Sequence, residues 1–448
     1  MKKISKLVLI IVVMALAIPT MWGCADRSTR LRVFNWDYFM HPEVFGLFEA
    51  YMLEEHGERI TVRSYTFLSN EDAYREIAEN RRDRDIVVPS DYMVARLREG
   101  GYIQRLNMDI IASELAIHYE AGQVSDTNVR ALLRDYIYYG ANTFDEGLLY
   151  SVPFLWGTLG IMFNRDTYAP YTSPSSVVSS WRHLFEHTGD IFMKRDQVRD
   201  NYTVAMMYSF SAELRHRSEN LTNFSNPAYI ELMEAIFNDF SYGADSFWNT
   251  ADFTHHDNFL DPFAHATTVL RNLRNRPNAT VWWEMDEGMF DMQSPYEEAD
   301  AHMGLAWSTD AGFVMNENEW APPATMLYYV VPEEGTNLWI NNLVIPERAG
   351  NARLANKFIA FTLREDIAKL NTLSTGSPAA NQDAMESLEE DLRNGDKSER
   401  FNDTPDGFKD MLLGIMFPQD SVMERSFIMG DFGARFHAAN IMWTNVMS

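Results

Sequence analysis

The sequence predicts an α/β protein built around a mostly parallel sheet. Its 448 residues exceed what one small core holds, which favours two domains or one large α/β domain. Hydrophobic residues make up 46% of the chain, a fraction that is normal for globular proteins and excludes a chain disordered throughout. Short apolar runs alternate with segments of helical periodicity, and this βαβα order is typical of parallel sheets with right-handed crossovers.

The first predicted units occupy residues 31–101. In chain order they are strand Leu31–Phe34, helix Pro42–His56, strand Thr61–Tyr65, helix Ser69–Arg82, strand Asp85–Pro89 and helix Tyr92–Glu99. Val44, Phe48 and Met52 give the first helix an apolar face, and Gly57 ends it. Ser69 is a candidate N-cap for the second helix.

Similar units recur further along the chain. They are strand Leu159–Phe163, helix Val177–His187, strand Met303–Trp307 and helix Ala352–Leu363. The stretch Asn249–Glu298 lacks this order and is rich in paired His, paired Trp and acidic residues. We therefore expect an insertion or a long loop with helical pieces over 249–298.

Charge and cysteine content exclude several classes of protein. The chain has 38 Lys and Arg against 64 Asp and Glu, a formal net charge of −26. An anionic surface repels a phosphate backbone, so nonspecific binding of nucleic acid is disfavoured. The single cysteine excludes both an intramolecular disulfide framework and a metal site made of several Cys.

The N-terminus predicts export and a lipid anchor. Lys2, Lys3 and Lys6 precede the apolar run Leu7–Pro19, a pattern typical of a secretory signal and too short for a comfortable membrane span. Gly23-Cys24 follows, as in lipoproteins whose cysteine is acylated after cleavage. We expect a signal peptide over 1–23 and lipidation of Cys24. The alternative is a cleaved signal that leaves an unmodified cysteine.

The sequence offers weak signals for catalysis or metal binding. It lacks the G-x-S-x-G, H-E-x-x-H, G-x-G-x-x-G and phosphate-loop motifs. His183 and His187 have the spacing of a two-histidine metal pair, and a second histidine group lies at His255-His256-Asp257, near His265. Exposed helices and loops produce such groups routinely, as they do the acidic pairs Asp286-Glu287 and Glu297-Glu298. We therefore predict no catalytic residue, no metal site and no cofactor.

Aromatic and acidic residues follow three predicted strands. The strand ends read Asn35-Trp36-Asp37-Tyr38, Ser90-Asp91-Tyr92 and, after Trp307, Ser308-Thr309-Asp310. Ligands of open α/β sheets bind outside the carboxyl ends of the strands. Carboxylates bind ammonium groups through charge-assisted hydrogen bonds, and aromatic faces attract cations. The pattern indicates a site for an organic cation, provided that the three strands lie side by side.

Seven motifs, in order, resemble the periplasmic spermidine/putrescine-binding proteins of ABC transporters. The most specific is Ser151–Asn164, SVPFLWGTLGIMFN, which is similar to the first hinge of that family and its following strand. The others are Phe34–Tyr38, Asp85–Tyr92, Asp196–Asp200, Gly304–Trp307, Pro332–Gly335 with Trp339–Asn341, and Ala352–Asp366 with Gly376–Pro378. The resemblance covers about residues 31–381, interrupted by 249–298.

The resemblance implies a two-lobed, hinged fold with the ligand in the cleft between the lobes. Trp36, Tyr92, Trp307 and Trp339 match the aromatic box that packs on the polyamine. Further matched or neighbouring candidates for ligand binding are Asp37, Tyr38, Ser90, Asp91, Asp200, Thr250, Asp310 and Asn341.

Three positions depart from the family pattern. Asn341 stands where the family usually has an Asp, Gln197 replaces a second acid near Asp200, and Ser377 replaces a Tyr of the cleft. A buried cation needs compensating charge. The loss of two carboxylates therefore weakens the case for spermidine, a trication, more than for putrescine, a dication.

The predicted domain organisation follows from the resemblance. A linker occupies 24–30, lobe 1 occupies 30–157 and 338–385, and lobe 2 occupies 158–337 and 386–448. The chain is expected to cross between the lobes near Trp156–Thr158 and near Asn337–Trp339. Closure of the lobes over the ligand would then give the conformation that a transporter recognises.

The resulting functional prediction is a monomeric, lipid-anchored, extracytoplasmic protein that captures a polyamine and delivers it to ABC permease subunits. One alternative keeps the fold but binds another organic cation, or presents the ligand to a receptor as a sensor. A second alternative is a secreted metal-dependent hydrolase that uses the histidines of 249–298.

Overall fold

The computed structural model describes most of the chain beyond its N-terminal segment. The described residues are 29–79, 83–118, 130, 132–164, 178–195, 197–219, 227–241, 247–249, 261–284, 289, 292, 301, 303–316, 327–394 and 406–448. The predicted signal peptide, Cys24, Asp196, Thr250 and the group His255–Asp257 lie outside them. Among the described helices, none is long and apolar enough to cross a membrane.

Ten strands form the sheet of the described residues. They are β1 Arg30–Trp36, β2 Thr61–Phe67, β3 Ile86–Val87, β4 Ser151–Asn164, β5 Ile191–Lys194, β6 Val281–Glu284, β7 Met303–Trp307, β8 Leu327–Val330, β9 Thr336–Val344 and β10 Ser426–Phe427. The strand order is β2-β1-β3-β9-β4-β7-β5-β6, with β8 paired to β4 and β10 paired to β9.

Helices flank this sheet. In chain order they are α1 Glu43–His56, α2 Asn70–Ala78, α3 Asp91–Glu99, α4 Met108–Leu115, α5 Asp135–Phe144, α6 Trp181–Phe185, α7 Val198–Ser209, α8 Ser211–Glu219, α9 Pro227–Asn238, α10 Pro262–Arg274, α11 Ser308–Asn316, α12 Ala352–Thr362, α13 Glu365–Thr375, α14 Gln382–Arg393, α15 Asp406–Met416, α16 Asp420–Met423 and α17 Phe436–Met447. Short 3-10 turns occur at Glu146–Leu148, Phe247–Asn249 and Gly433–Arg435.

The sheet has two parallel wings joined by antiparallel strands. In one wing β1 pairs in parallel with β2 and β3, and in the other β5 pairs in parallel with β6 and β7. The long strands β4 and β9 join the wings as an antiparallel pair. Strand β4 is buried along its whole length, as its apolar sequence requires. The predicted α/β fold is confirmed.

The partners of β4 change midway along the strand. Residues Ser151 to Thr158 pair with β9, whereas Leu159 to Asn164 pair with β7 and β8. Gly157 lies next to this change, where a Cβ atom would approach Ser308 Oγ and the Trp339 ring to 2.4 Å. A glycine is therefore required for the close packing of β4, β9 and the start of α11.

The apolar core forms three clusters in the described residues. One centres on α1 and α12, where the Phe48 and Phe358 rings meet edge to face at 5.0 Å. A second packs α7, α9 and α17 around Tyr202, and a third packs β1, α3 and β4 around Trp156. Each large buried side chain contributes about 1.5–3 kcal/mol to folding. The third cluster supports the residues that follow β1 and β3.

Several predicted elements agree closely with the structure. Strand β7 has the predicted bounds, α12 ends one residue earlier than predicted, and Ser69 caps α2 by accepting a hydrogen bond from the Asp72 N–H. Other stretches differ. The helix predicted over 177–187 covers only Trp181–Phe185, and the strand predicted at Leu159–Phe163 extends over Ser151–Asn164. The stretch 249–298 contains helix α10, in agreement with the helical pieces expected there, but also strand β6, the outermost strand of its wing. Apolar residues of α10, among them Leu270, are buried in the second cluster, so this part of the stretch belongs to the core.

Candidate functional site

A cavity lies where the two wings of the sheet face each other. Its open volume is about 650 Å³, including the mouth. The side chains around it are Trp36, Phe39, Asn70, Ser90, Asp91, Tyr92, Gln197, Arg199, Asp200, Trp307, Thr309, Asn337, Trp339 and Asn341. We call this cavity the cleft.

Eight predicted ligand-binding residues line the cleft. They are Trp36, Ser90, Asp91, Tyr92, Asp200, Trp307, Trp339 and Asn341. The ends of β1 and β3 are neighbours in the sheet, but the end of β7 is separated from them by β9 and β4. The three strand ends therefore meet because the two wings face each other, and not because the strands lie side by side.

Aromatic side chains form one wall of the cleft. Trp36 ends β1 and packs against Phe67 at 4.6 Å between ring centroids. Phe39 bridges Trp36 and Trp339, with centroid distances of 6.5 and 6.1 Å. Half-buried aromatic rings of this kind offer flat apolar faces to methylene groups and attract cations.

Asp91 is a buried carboxylate in the first turn of α3. Its oxygens accept hydrogen bonds from the backbone N–H groups of Tyr92 at 2.7 Å and Ile340 at 3.0 Å. Burial raises the pKa of Asp91 to about 6, and this shift is partly opposed by the positive charge of Arg199. The ionised form of Asp91 therefore favours a nearby cation.

Asp200 is the corresponding carboxylate of the opposite wing, in the first turn of α7. Its oxygens accept hydrogen bonds from Trp307 Nε1 at 2.9 Å and Asn337 Nδ2 at 3.4 Å. Burial raises the pKa of Asp200 above its ordinary value, again against the charge of Arg199. The bond from Trp307 also fixes the indole beside the carboxylate, so an acid and an aromatic face are presented together.

Amide and hydroxyl groups form a polar corner of the cleft. Ser90 Oγ donates to Asn341 Oδ1 at 2.8 Å and accepts from Asn70 Nδ2 at 3.1 Å. The Ser90 N–H donates in turn to Asn70 Oδ1 at 3.0 Å. Asn341, which replaces the acid usual in the resembled family, is thus a fixed neutral group.

Arg199 is the residue of the cleft whose role the sequence did not indicate. Its guanidinium carbon lies 3.7 Å from the centroid of the Tyr92 ring. Its Nη atoms donate to the carbonyl oxygens of Met429 and Gly430, each at 2.5 Å. Arg199 was visible in the Asp196–Asp200 motif, but no sequence signal shows that α3 and the C-terminal segment converge on it.

Among the described residues, three predicted site residues do not line the cleft. Asp37 is exposed, and Tyr38 is 83% exposed with a φ of 57°. Asp310 accepts a hydrogen bond from the buried Lys194 Nζ at 2.7 Å, and that ammonium lies 4.6 Å from the Trp307 ring. Thr250 lies outside the described residues. Roles for these residues in ligand binding remain predictions.

Other lining residues were missed by the prediction or noted only as departures. They are Phe39, Asn70, Gln197, Thr309 and Asn337. Ser377, the third departure, is buried behind the cleft and shares a hydrogen bond with Thr309. Neutral side chains carry no charge by which a sequence marks them as ligand contacts, even where, as for Gln197 and Thr309, they lie within a quoted motif.

Two of the histidines considered as metal ligands have structural partners. His183 belongs to a capping box with Ser180 at the start of α6, and His265 hydrogen-bonds Ser209 Oγ at 2.9 Å. Within the described ranges no group of three or more His, Cys, Asp or Glu side chains is arranged to hold a metal ion. The cleft itself combines buried carboxylates, aromatic faces and neutral polar groups, which suits a small organic cation.

Comparisons with known proteins agree with this fold. The chain is 25% identical over 383 residues to the spermidine/putrescine-binding periplasmic protein of Escherichia coli, covering 85% of this chain and 86% of the relative. It is 24% identical over 401 residues to the putrescine/agmatine-binding protein of Pseudomonas aeruginosa, covering 88% and 89% of the two chains.

A similar solved structure is the spermidine/putrescine ABC transporter substrate-binding protein of Streptococcus pneumoniae. It has a TM-score of 0.60 and 20% identity, and the match covers 94% of this chain and all of that one. Residues 47–393 match the family model described as bacterial extracellular solute-binding protein, which is more than half of the chain. The resemblance found in the motifs is confirmed, and the chain belongs to the bacterial extracellular solute-binding protein family.

Proposed function

We propose that this protein captures a short polyamine, putrescine or spermidine, in the cleft and delivers it to an ABC importer. The observation that carries the proposal is the pair of buried carboxylates, Asp91 and Asp200, set among Trp36, Tyr92 and Trp307. A buried carboxylate needs a cation to offset its loss of hydration. A flexible chain with ammonium ends meets both requirements, because its methylene groups pack on the aromatic rings.

The printed names of the relatives support this ligand class. The Escherichia coli relative is a spermidine/putrescine-binding protein and the Pseudomonas aeruginosa relative a putrescine/agmatine-binding protein. The substitutions Asn341 and Gln197 leave fewer carboxylates than the resembled family has, which favours a ligand of low charge. Another organic cation is the alternative that the same residues permit.

We propose lobe boundaries from the change of partners along β4. Thr158 is the last residue of β4 that pairs with β9, and Leu159 is the first that pairs with β7. This supports lobe 1 as 30–157 with 338–385 and lobe 2 as 158–337 with 386–448. Asp91 and Tyr92 would then belong to lobe 1, and Arg199, Asp200 and Trp307 to lobe 2. A ligand between them would draw the lobes together.

The proposed location is the outer face of the cytoplasmic membrane, with Cys24 acylated. The support is the basic and apolar start of the sequence followed by Gly23-Cys24. Metabolic labelling with a fatty acid tests it, because label should appear in the wild type and vanish in Cys24→Ala. A labelled Cys24→Ala protein would contradict the anchor.

Calorimetric titration with putrescine and spermidine tests the ligand class. Asp200→Asn should abolish measurable binding, because it removes the charge while keeping most of the shape. Asp109→Asn is the matched control. Asp109 lies in the first turn of α4, just as Asp200 lies in the first turn of α7, but Asp109 is exposed whereas Asp200 is buried. Wild-type protein that binds neither amine at millimolar concentration would contradict the proposal.

A further inference from the structure

The described residues that line the cleft carry a net charge of −1. Two of them are acidic, Asp91 and Asp200, and one is basic, Arg199, so the sum is −2 + 1. Both carboxylates are at least 95% buried, and Arg199 is the positive charge that acts most strongly on each. A dication or trication in this site would carry more charge than the cleft neutralises.

Two of the acids just outside the cleft, Asp310 and Asp37, add little to this charge. Asp310 is paired with the buried Lys194, so the two charges cancel. Asp37 is exposed at the end of β1, where water and salt screen its field. Glu71 lies behind the lining residues, and its carboxylate accepts a hydrogen bond from the Tyr92 hydroxyl at 3.2 Å. The charged groups that line the cleft are therefore Asp91, Asp200 and Arg199.

The protein's own cations already lie on two of the aromatic rings. Arg199 lies 3.7 Å from the Tyr92 centroid, and Lys194 Nζ lies 4.6 Å from the Trp307 ring. A guanidinium stacked on tyrosine occupies the kind of position that a second ligand ammonium would take. Arg199 thus takes the place of one positive charge in the ligand.

Two side chains that line the cleft have a donor without an acceptor. The indole N–H groups of Trp36 and Trp339 are buried, and neither has an acceptor among the described residues. A buried donor without a partner is unfavourable, because it has lost its hydrogen bond to water. An ammonium group only donates hydrogen bonds and offers no acceptor. A carbonyl oxygen would satisfy such donors and could also accept from the Arg199 guanidinium.

We infer that the ligand of this cleft is a short linear amine with one ammonium group and one neutral carbonyl, as in a diamine acylated at one end. The ammonium group binds between Asp91 and Asp200. The acyl carbonyl accepts from Arg199 and from an indole N–H. This inference rests on the proposed function and narrows its ligand, because a diamine acylated at one end is the polyamine derivative that fits the charge and the donors.

Calorimetry with four probes at one salt concentration tests the inference. The probes are N-acetylputrescine, putrescine, spermidine and 4-aminobutyrate. We expect N-acetylputrescine to bind at least tenfold tighter than putrescine. Among N-acetylputrescine, putrescine and spermidine, we expect spermidine to bind most weakly. If putrescine or spermidine binds as tightly as N-acetylputrescine, the inference fails and the proposed function stands. Tightest binding of 4-aminobutyrate also overturns it, and binding of no amine overturns the proposed function itself.

Arg199 variants test the cause of the selectivity. Arg199→Gln should lower the preference for N-acetylputrescine over putrescine at least tenfold, since it makes the net charge of the lining residues more negative, from −1 to −2. Arg199→Lys, which keeps the charge, should keep the preference. Arg195→Gln is the matched control, because Arg195 is exposed four residues away. An unchanged preference in Arg199→Gln would overturn the inference. If that variant does not fold, the four-probe series on the wild-type protein decides the question.

Discussion

Arg96 and Asp431, 335 positions apart in the sequence, form a two-bonded ion pair beside the cleft. Arg96 Nε donates to Asp431 Oδ2 at 2.9 Å, and Nη2 donates to Oδ1 at 2.5 Å. Arg96 lies on α3 with Asp91 and Tyr92, and Asp431 follows the carbonyls of Met429 and Gly430 that hold Arg199. The pair thus connects the segments that carry the two sides of the cleft.

This ion pair should stabilise the closed form of the protein. A partly exposed pair contributes about 0.5–1 kcal/mol, so Arg96→Gln should weaken ligand binding roughly two- to fivefold. The radius of gyration without ligand, measured by X-ray scattering, should rise in the variant. Arg98→Gln on the same helix is the control. Ligand affinity equal to wild type in both Arg96→Gln and Asp431→Asn would contradict this role.

The pKa of Asp91 predicts how stability depends on pH. Because the folded-state pKa of about 6 exceeds the ordinary value of 3.8, the folded protein binds more protons than the unfolded chain between these values. The free energy of unfolding of the ligand-free protein should therefore fall as pH rises from 4 to 7, by up to about 3 kcal/mol from this group.

Urea unfolding between pH 4 and 7 measures this effect, and the difference between wild type and Asp91→Asn isolates it from other carboxylates. Cation binding favours the ionised form of Asp91, so ligand affinity should change in the opposite direction and fall below pH 6. An equal slope of unfolding free energy against pH in the wild type and in Asp91→Asn would contradict the raised pKa of Asp91.

The indole of Trp307 should contribute to binding through its hydrogen bond to Asp200. Trp307→Phe keeps an aromatic face but removes the donor, which leaves a buried carboxylate oxygen with one fewer partner. We expect affinity to fall about tenfold, in line with the loss of one charge-assisted hydrogen bond. Trp443→Phe is the control, because Trp443 packs on Trp283 away from the cleft. Calorimetry that finds equal losses in both variants would exclude the proposed role.

Gly157 should be intolerant of any side chain. A Cβ atom there would meet Ser308 Oγ and the Trp339 ring at 2.4 Å, so Gly157→Ala must displace β9 or the start of α11. We expect a loss of about 1–3 kcal/mol in stability together with weaker binding, because Trp339 lines the cleft. Gly46→Ala is the matched control. A Cβ atom at Gly46 would have no neighbouring heavy atom within 4 Å, and Gly46 lies in helix α1, where alanine is more favourable than glycine by up to about 1 kcal/mol. Equal stability of Gly157→Ala and Gly46→Ala would contradict the requirement for glycine at position 157.

Local patterns predicted much of the fold. The apolar run of β7 and the cap at Ser69 lie where the sequence placed them, because alternation and capping depend on a few adjacent residues. The motifs also identified Trp36, Asp200 and Trp307 as neighbours of one cleft. Strand β6 was missed, since its short apolar run lies among acidic residues in the sequence of 249–298, whereas helix α10 agrees with the helical pieces expected there.

Long-range charge pairing could not be predicted. Asp310 was expected to face the ligand, but Lys194 of β5, 116 residues away, pairs with it. Arg199 likewise meets Tyr92 and the 429–430 carbonyls only because three distant segments converge. The net charge of the chain, −26, therefore says little about the cleft, whose charge depends on which acids are paired.

The central claim is that Asp91 and Asp200 bind the ammonium group of a short amine. Native mass spectrometry of protein purified from its source organism, without added ligand, tests it most directly. The account predicts a bound linear amine in the wild type that is missing from Asp200→Asn and present in Asp109→Asn. A sugar, a peptide or an anion in the cleft of the wild type, or an amine retained by Asp200→Asn, would contradict it.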